Sequence, residues 1–445
     1  MQETTLTNGW ILADPQTGRV VPHGRTVIAG TRLDLVNGDH DGPLPEDGVV
    51  DCAGCLIMPG LVNAHNHCAM SLFRGLADDL PLDKWLNTYI FPAEARYCRP
   101  AFVRLGTTLS AVEMALNGVT TVADGYFFME EAAAAAAEVG IRAVIAQGIL
   151  DVAVPDSAAG AWKERAEFFL AAFPNDPLLT PALFCHSTYM CSPDTLREAW
   201  KICLDRGLSL FCHVSETEWE IREIRERYGV SPVEHLHALG LLSKGFAAVH
   251  AVHVSESDID LFARSGASAV HCPESNMKLA SGAAPVKDLI KHGVVTALGT
   301  DGPASNNNLD LFEEMRTASL AAKLVTGDPA ALDAATCIRM ATIDGAKALG
   351  LDHIIGSLEP GKQADVIVVD LNRPHLSPLY NPASHLVYCA RGSDVRDVWV
   401  NGARIVRNGS IVTVDRCALL EKVGETAARI AVEFEIGPRV SSDIT

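Results

Sequence analysis

The stretch Asn63–Gly75, NAHNHCAMSLFRG, follows a short apolar run, LIMPGLV (56–62), and sets two histidines, His65 and His67, one residue apart. The run reads as a buried strand, and alternate residues of a strand point the same way. Two imidazoles aimed at one point make a metal site or a pair of core histidines. The spacing alone does not choose between them. The rest of the chain does.

Apolar runs of the same kind recur: LIMPGLVNAH (56–65), GVTTVADGY (118–126), RAVIAQGIL (142–150), LLTPALFCHS (178–187), LSLFCHVSE (208–216), FAAVHAVH (246–253), SAVHCPESN (268–276) and VVTALGTDG (294–302), eight in all. Longer stretches of helical character separate them, among them AFVRLGTTLSAVEMALNG (101–118), EEAAAAAAEVG (130–140) and SPDTLREAWKICLDRG (192–207). Eight strands alternating with helices predict an α/β fold, a (β/α)8 barrel over residues 58–350.

Both ends have a different rhythm. Residues 1–57 hold short strand-like runs such as NGWILAD (8–14) and GRTVIAG (24–30), punctuated by Gly, Pro, Asn and Asp. The same character returns in residues 351–445, in ADVIVVDL (364–371), VRDVWVNGARIV (395–406) and GSIVTV (409–414). The two termini are expected to pair as a small β-sandwich. ALLEKVGETAARIAVEF (418–434) carries helical spacing and is expected to be a terminal helix.

The chain has 445 residues, 48% hydrophobic and 20% charged, with a formal charge of −19. That charge excludes nucleic-acid backbones and anionic membranes as partners. The cysteines are scattered through apolar segments, as free buried thiols are, and form no disulfide framework. The lone CxxC, Cys52 to Cys55, has no second pair to complete a zinc site. The first residues lack the features of a secretory signal, and no apolar run reaches the ~18 residues of a membrane span. A cytoplasmic location is expected, with a homodimer or homotetramer as the state.

Barrel chemistry gathers where strands end. The first run ends in His65 and His67, the fourth in His186, the fifth in His213 and Glu216. The sixth carries His250 and His253, and the eighth ends in Asp301. Each has an ordinary structural explanation alone; together they point to one site. Three neutral imidazoles and one carboxylate suit a single divalent metal, zinc or alternatively ferrous iron, with a position left for water. The fourth strand has no lysine at its end to bridge a second metal. Glu216, three past His213, is expected to be a general acid/base. His250 is the second catalytic candidate. His235 and His237 fall in a helical pattern, where such neighbours diverge, and are expected to be structural.

Four segments carry a family resemblance: PGLVNAHNHCAMSLFRGLADDLPLDKWL (59–86), HVSET (213–217), AVHCPESNMKLASGAAPV (269–286) and LGTDGPASNNNLDLFEEMR (298–316). They resemble the amidohydrolase superfamily in its mononuclear deaminase branch. More closely they resemble the 5′-methylthioadenosine/S-adenosylhomocysteine deaminases, with the triazine hydrolases as near relatives. The resemblance runs from about residue 8 to 410. It implies that His65, His67, His213 and Asp301 hold the metal. Glu216 would relay a proton to the purine ring nitrogen, His250 would polarise the attacking water, and Asp301 would take its proton. Trp85 and Glu94 would border the nucleoside, with Glu94 accepting from the ribose hydroxyls. His186 would contact purine or ribose.

One position departs from the family pattern. Members that handle S-adenosylhomocysteine place an arginine where this chain has Gln147, and DVAVPDSAAG (151–160) offers no replacement. A guanidinium fork is what grips an amino-acid carboxylate. The expected substrate is therefore 5′-methylthioadenosine, adenosine or 5′-deoxyadenosine ahead of S-adenosylhomocysteine, deaminated to the hypoxanthine nucleoside. The rivals are a triazine or pterin hydrolase and a non-catalytic barrel that binds a nucleoside or metal.

Overall fold

The structure is a computed structural model, and it describes residues 3–36, 44, 47–80 and 82–434. Eight parallel strands, Leu61–Asn66, Val119–Tyr126, Arg142–Ile149, Leu179–Ser187, Ser209–Val214, Phe246–His250, Ser268–His271 and Thr296–Leu298, lie side by side in chain order. Helices run between them, including Pro100–Leu116, Met129–Val139, Pro193–Arg206 and Glu256–Ser265. Sequence cues set their limits. Ser192 caps one N-terminus by accepting from the Thr195 N–H, and Gly207 ends that helix in the left-handed conformation.

The sheet bends into a nearly closed barrel. The last strand is only three residues long, and beyond it side chains carry much of the seam to the first strand. The Thr300 N–H donates to Asn63 Oδ1 (3.0 Å), and the Asn63 and Asn66 amides donate to Thr300 Oγ1 (2.7 Å each). One main-chain bond crosses as well, from the Asp301 N–H to the His65 carbonyl (3.1 Å).

A second sheet draws strands from both termini, as expected. Its strands run in the order Ser410–Ile411, Ala403–Arg407, Val395–Val400, Val366–Asp370, Cys55–Pro59, Thr4–Asp14, Arg19–Ala29 and Arg32–Val36, with Val49–Asp51 alongside Thr4–Asp14. Most pairs are antiparallel; Thr4–Asp14 lies parallel to Val49–Asp51 and Cys55–Pro59. The terminal helix is Arg416–Glu433.

The apolar run LIMPGLVNAH divides between the two sheets. Cys55–Pro59 pairs with Val366–Asp370, while Leu61–Asn66 opens the barrel. The N-terminal share of the second sheet thus extends to Pro59. Gly60 is the joint: a Cβ there would lie 2.0 Å from Thr120 Oγ1, and its N–H donates to the Asp365 carbonyl (3.0 Å).

Beside that joint, Arg142 at the start of the third barrel strand grips Asp365 with two bonds, Nε to Oδ2 at 2.9 Å and Nη2 to Oδ1 at 3.0 Å. Both side chains are 2% exposed. Removing one partner strands the other's charge in the interior, which costs about 3–5 kcal/mol. Arg142→Met is expected to lose about that much stability in urea unfolding. Arg142→Met combined with Asp365→Asn should lose measurably less. Among the described residues, no helix is long and apolar enough to cross a membrane.

Candidate metal centre and active site

The strand ends bring together residues from distant parts of the chain. His65 lies on the first barrel strand and His67 just beyond it; His213 lies on the fifth, and Asp301 follows the eighth. Their ligand atoms all lie within 4.8 Å of one another. Asp301 Oδ1 is 3.2 Å from His65 Nε2 and 3.4 Å from His67 Nε2, and the Nε2 atoms of His65 and His213 are 3.3 Å apart. Ligands about 2.0–2.1 Å from a tetrahedral centre lie about 3.3 Å from each other. The donor set and these three spacings fit a divalent metal.

Neighbouring groups aim the donors. His67 Nδ1 is bonded to the Gly125 carbonyl (2.5 Å), which leaves Nε2 facing the cluster. Asp301 Oδ2 accepts from Ser275 (2.7 Å) and Ser305 (2.8 Å), and Oδ1 is the oxygen turned to the histidines. Phe184 packs against the rings of His65, His67 and His213. Burial lowers the pKa of His65 to about 4 and holds His213 well below the ordinary imidazole range, so both stay neutral, the form that binds a metal. Burial pushes the Asp301 carboxyl up, but the His65 hydrogen bond and the surrounding imidazoles outweigh it, so Asp301 stays ionised.

The acid–base candidates stand beside this cluster. His250 closes the sixth strand, and its Nδ1 is bonded to Asn276 Oδ1 (2.9 Å). Nδ1 is therefore the protonated nitrogen, and Nε2 faces Glu216 Oε2 at 3.7 Å. Burial raises the pKa of Glu216, and Ser281 Oγ approaches its Oε1 at 3.4 Å. Ser215, His250 and Asp301 all have left-handed backbone, with φ of 56°, 74° and 59°. Non-glycine residues held there cost about 1–3 kcal/mol each, and such strain concentrates at functional sites.

The remaining sequence candidates have these places. Trp85 is buried. Glu94 is half-buried and accepts from the Tyr126 hydroxyl (2.6 Å), and burial lifts its pKa to about 7. His186 sits with its ring centroid 5.1 Å from that of His213, and burial lowers its pKa to about 4. Gln147 is fully buried, and its Nε2 donates to Asp156 Oδ2 (3.0 Å) and the Gly148 carbonyl (3.2 Å). Arg165 reaches the same Asp156 oxygen (2.8 Å) and also pairs with Glu130.

His253 bonds the Ser281 carbonyl (2.7 Å). His235 stacks on Tyr228, with ring centroids 4.2 Å apart, away from the cluster in the helix Pro232–Ala238. Cys52 and Cys55 are buried, and burial lifts their pKa values to about 12 and 11. Sequence reasoning passed over Ser275, Asn276 and Ser305. The first two end the SAVHCPESN run, and that position was the available signal.

The amidohydrolase family model matches residues 56–405. The chain belongs to the amidohydrolase family. This amidohydrolase is 41% identical to the 5-methylthioadenosine/S-adenosylhomocysteine deaminase of Thermodesulfovibrio yellowstonii, over 92% of this chain and 93% of that one. It is 42% identical to the 5′-deoxyadenosine deaminase of Methanothermobacter thermautotrophicus, over 92% and 95% of the two chains. The crystal structure of an adenosine deaminase from Xanthomonas campestris with bound zinc superposes with a TM-score of 0.93 at 37% identity, covering 96% of this amidohydrolase and 98% of the other chain.

Proposed function

We propose that this amidohydrolase is a metal-dependent hydrolytic deaminase of adenine nucleosides, converting them with water to hypoxanthine nucleosides and ammonia. The observation that carries the proposal is the placement of Glu216 and His250, 3.7 Å apart, beside the cluster of His65, His67, His213 and Asp301. The names of the relatives, each a deaminase of an adenine nucleoside, support the same chemistry.

His65, His67, His213 and Asp301 would hold the metal, zinc in our reading, given the donor set and the zinc bound by the similar adenosine deaminase. When bound, it supplies a water acidified towards a pKa of about 7 as the nucleophile. His250, with its proton fixed on Nδ1, would offer Nε2 as acceptor to the attacking water, and Asp301 would take the proton it releases. Glu216, kept protonated more readily by burial, delivers its proton to the ring nitrogen next to the carbon under attack. The proton held at Asp301 would then pass to the amino group, the C–N bond would break to release ammonia, and the remaining hydroxyl proton on the attacked carbon would return to Glu216 as the carbonyl forms. Two separate carriers let both transfers proceed without bulk water. Glu94 would take the ribose hydroxyls on the oxygen that Tyr126 leaves free, while Trp85 and His186 would border the nucleoside.

The 5′ end of the substrate follows from Gln147. Its amide nitrogen is already bonded, and Arg165 is held by Asp156 and Glu130. Neither offers a free guanidinium fork for a carboxylate. A charge-assisted bond is worth about 1.5–3 kcal/mol, or about ten- to a hundredfold. Ammonia release from 5′-methylthioadenosine, adenosine and 5′-deoxyadenosine is expected to exceed that from S-adenosylhomocysteine by at least about tenfold in kcat/KM. Equal turnover of S-adenosylhomocysteine would refute the argument from Gln147. If metal-loaded protein released no ammonia from any purine nucleoside but hydrolysed a chlorotriazine or pterin, the nucleoside assignment would be wrong.

A further inference from the structure

Glu220 is 1% exposed, yet no catalytic role requires a second carboxylate there. It is the third residue of the helix Glu218–Tyr228, whose N-cap is Thr217. The Thr217 hydroxyl accepts from the Glu220 N–H (3.2 Å), the first half of an ordinary capping box. In the usual second half, the acidic side chain returns to the N-cap N–H. Other α-helices among the described residues do that: Glu234 Oε2 accepts from the Ser231 N–H (2.8 Å), and Asp258 Oδ2 from the Ser255 N–H (2.9 Å).

Glu220 reaches further. Its Oε2 accepts from the N–H of Glu216, one residue before the cap, at 2.9 Å. Its Oε1 accepts from the hydroxyl of Thr188 (2.8 Å), a fully buried residue just past the fourth barrel strand. One carboxylate therefore ties the Glu216 main chain to the neighbouring barrel loop. The segment it restrains needs restraint, because Ser215 stands in left-handed backbone and Glu216 must meet both His250 and substrate.

We infer that Glu220 is a positioning residue for proton transfer: through Thr188 and the Glu216 N–H it fixes where the Glu216 carboxyl stands. The inference rests on Glu216 being the general acid/base. A side chain misplaced by about 1 Å can cost about a hundredfold in rate.

The test is steady-state deamination of adenosine by metal-loaded variants, with metal content and thermal midpoint measured in parallel. The Glu216 N–H and the Thr188 hydroxyl both donate to Glu220, and Glu220→Gln leaves them one acceptor oxygen between them. It is expected to lower kcat about ten- to a hundredfold while KM and metal content stay within about twofold. Thr188→Val should lower kcat at least about fivefold, and Thr188→Ser should restore it. Thr217→Ala removes the ordinary cap and should lower the thermal midpoint with kcat unchanged within about twofold. A kcat for Glu220→Gln within twofold of the parent would overturn the inference, as would an equal kcat loss in Thr217→Ala. If Glu220→Gln does not fold, the Thr188 pair decides: equal kcat in Val and Ser overturns it. Full activity in Glu216→Gln would instead remove the reading beneath it.

Discussion

Glu216→Gln is expected to lower kcat by about a thousandfold and to leave the metal content of the protein unchanged. The substitution keeps size and shape but removes the transferable proton. Positioned general acid–base groups contribute about 10²–10⁴ in rate, and Glu216 faces the metal cluster without belonging to it. Its side chain is restrained by Ser281 and lies beside His250, neither of which requires a charge on the carboxyl. The measurement is ammonia release alongside metal analysis of the same sample. Loss of metal would show that Glu216 helps hold it, and an unchanged kcat would remove Glu216 from proton transfer.

His213→Ala is expected to bind metal at least about a hundredfold more weakly and to show no ammonia release above background at equimolar metal. His213 is the ligand contributed from across the barrel, and its Nε2 stands 3.3 Å from that of His65. Its loss leaves one side of the cluster without a donor, and the cavity left by the ring is bordered by Phe184 and His186. Chelator treatment of the parent should abolish activity in the same way, with recovery on adding zinc. Activity in the chelated parent, or undiminished affinity in the variant, would show that the four-residue cluster is not the metal site the reaction uses.

Much of this site was legible in the chain because barrel geometry turns linear order into convergence. Eight apolar runs gave the strands, and titratable residues at the ends of several of them marked one face. What was hidden depends on contacts no spacing reports. The break at Gly60 lies inside the run LIMPGLVNAH, where the Pro59-Gly60 pair is a turn signal easily read over, and the approach of Thr120 is what holds that position to glycine. Strand alternation sets His250 and His253, three residues apart in VHAVH, on opposite faces without telling which of them meets the cluster; left-handed backbone at His250 and Ala251 ends the alternation, and His253 turns to pin the Ser281 carbonyl. Ser275, Asn276, Ser305 and Glu220 are common surface residue types, and their burial against Asp301, His250 and Glu216 comes from the fold. Trp85, Glu94 and Gln147 owed their selection to family resemblance, since nothing in their local spacing marks them; His186 was marked by its place at the end of the fourth strand, and only its contact with purine or ribose came from the resemblance.

The first and last barrel strands meet along a seam. His65 and Asp301 stand on opposite banks of that seam, joined by one main-chain bond and the Asn63, Asn66 and Thr300 side chains. A ligand shared by both residues therefore acts as a clasp on the barrel wall. Whatever free energy holds the ion also opposes parting of the strands, so occupancy and fold integrity become linked quantities that rise and fall together with free metal. The candidate metal centre is in that sense the last stitch of the fold.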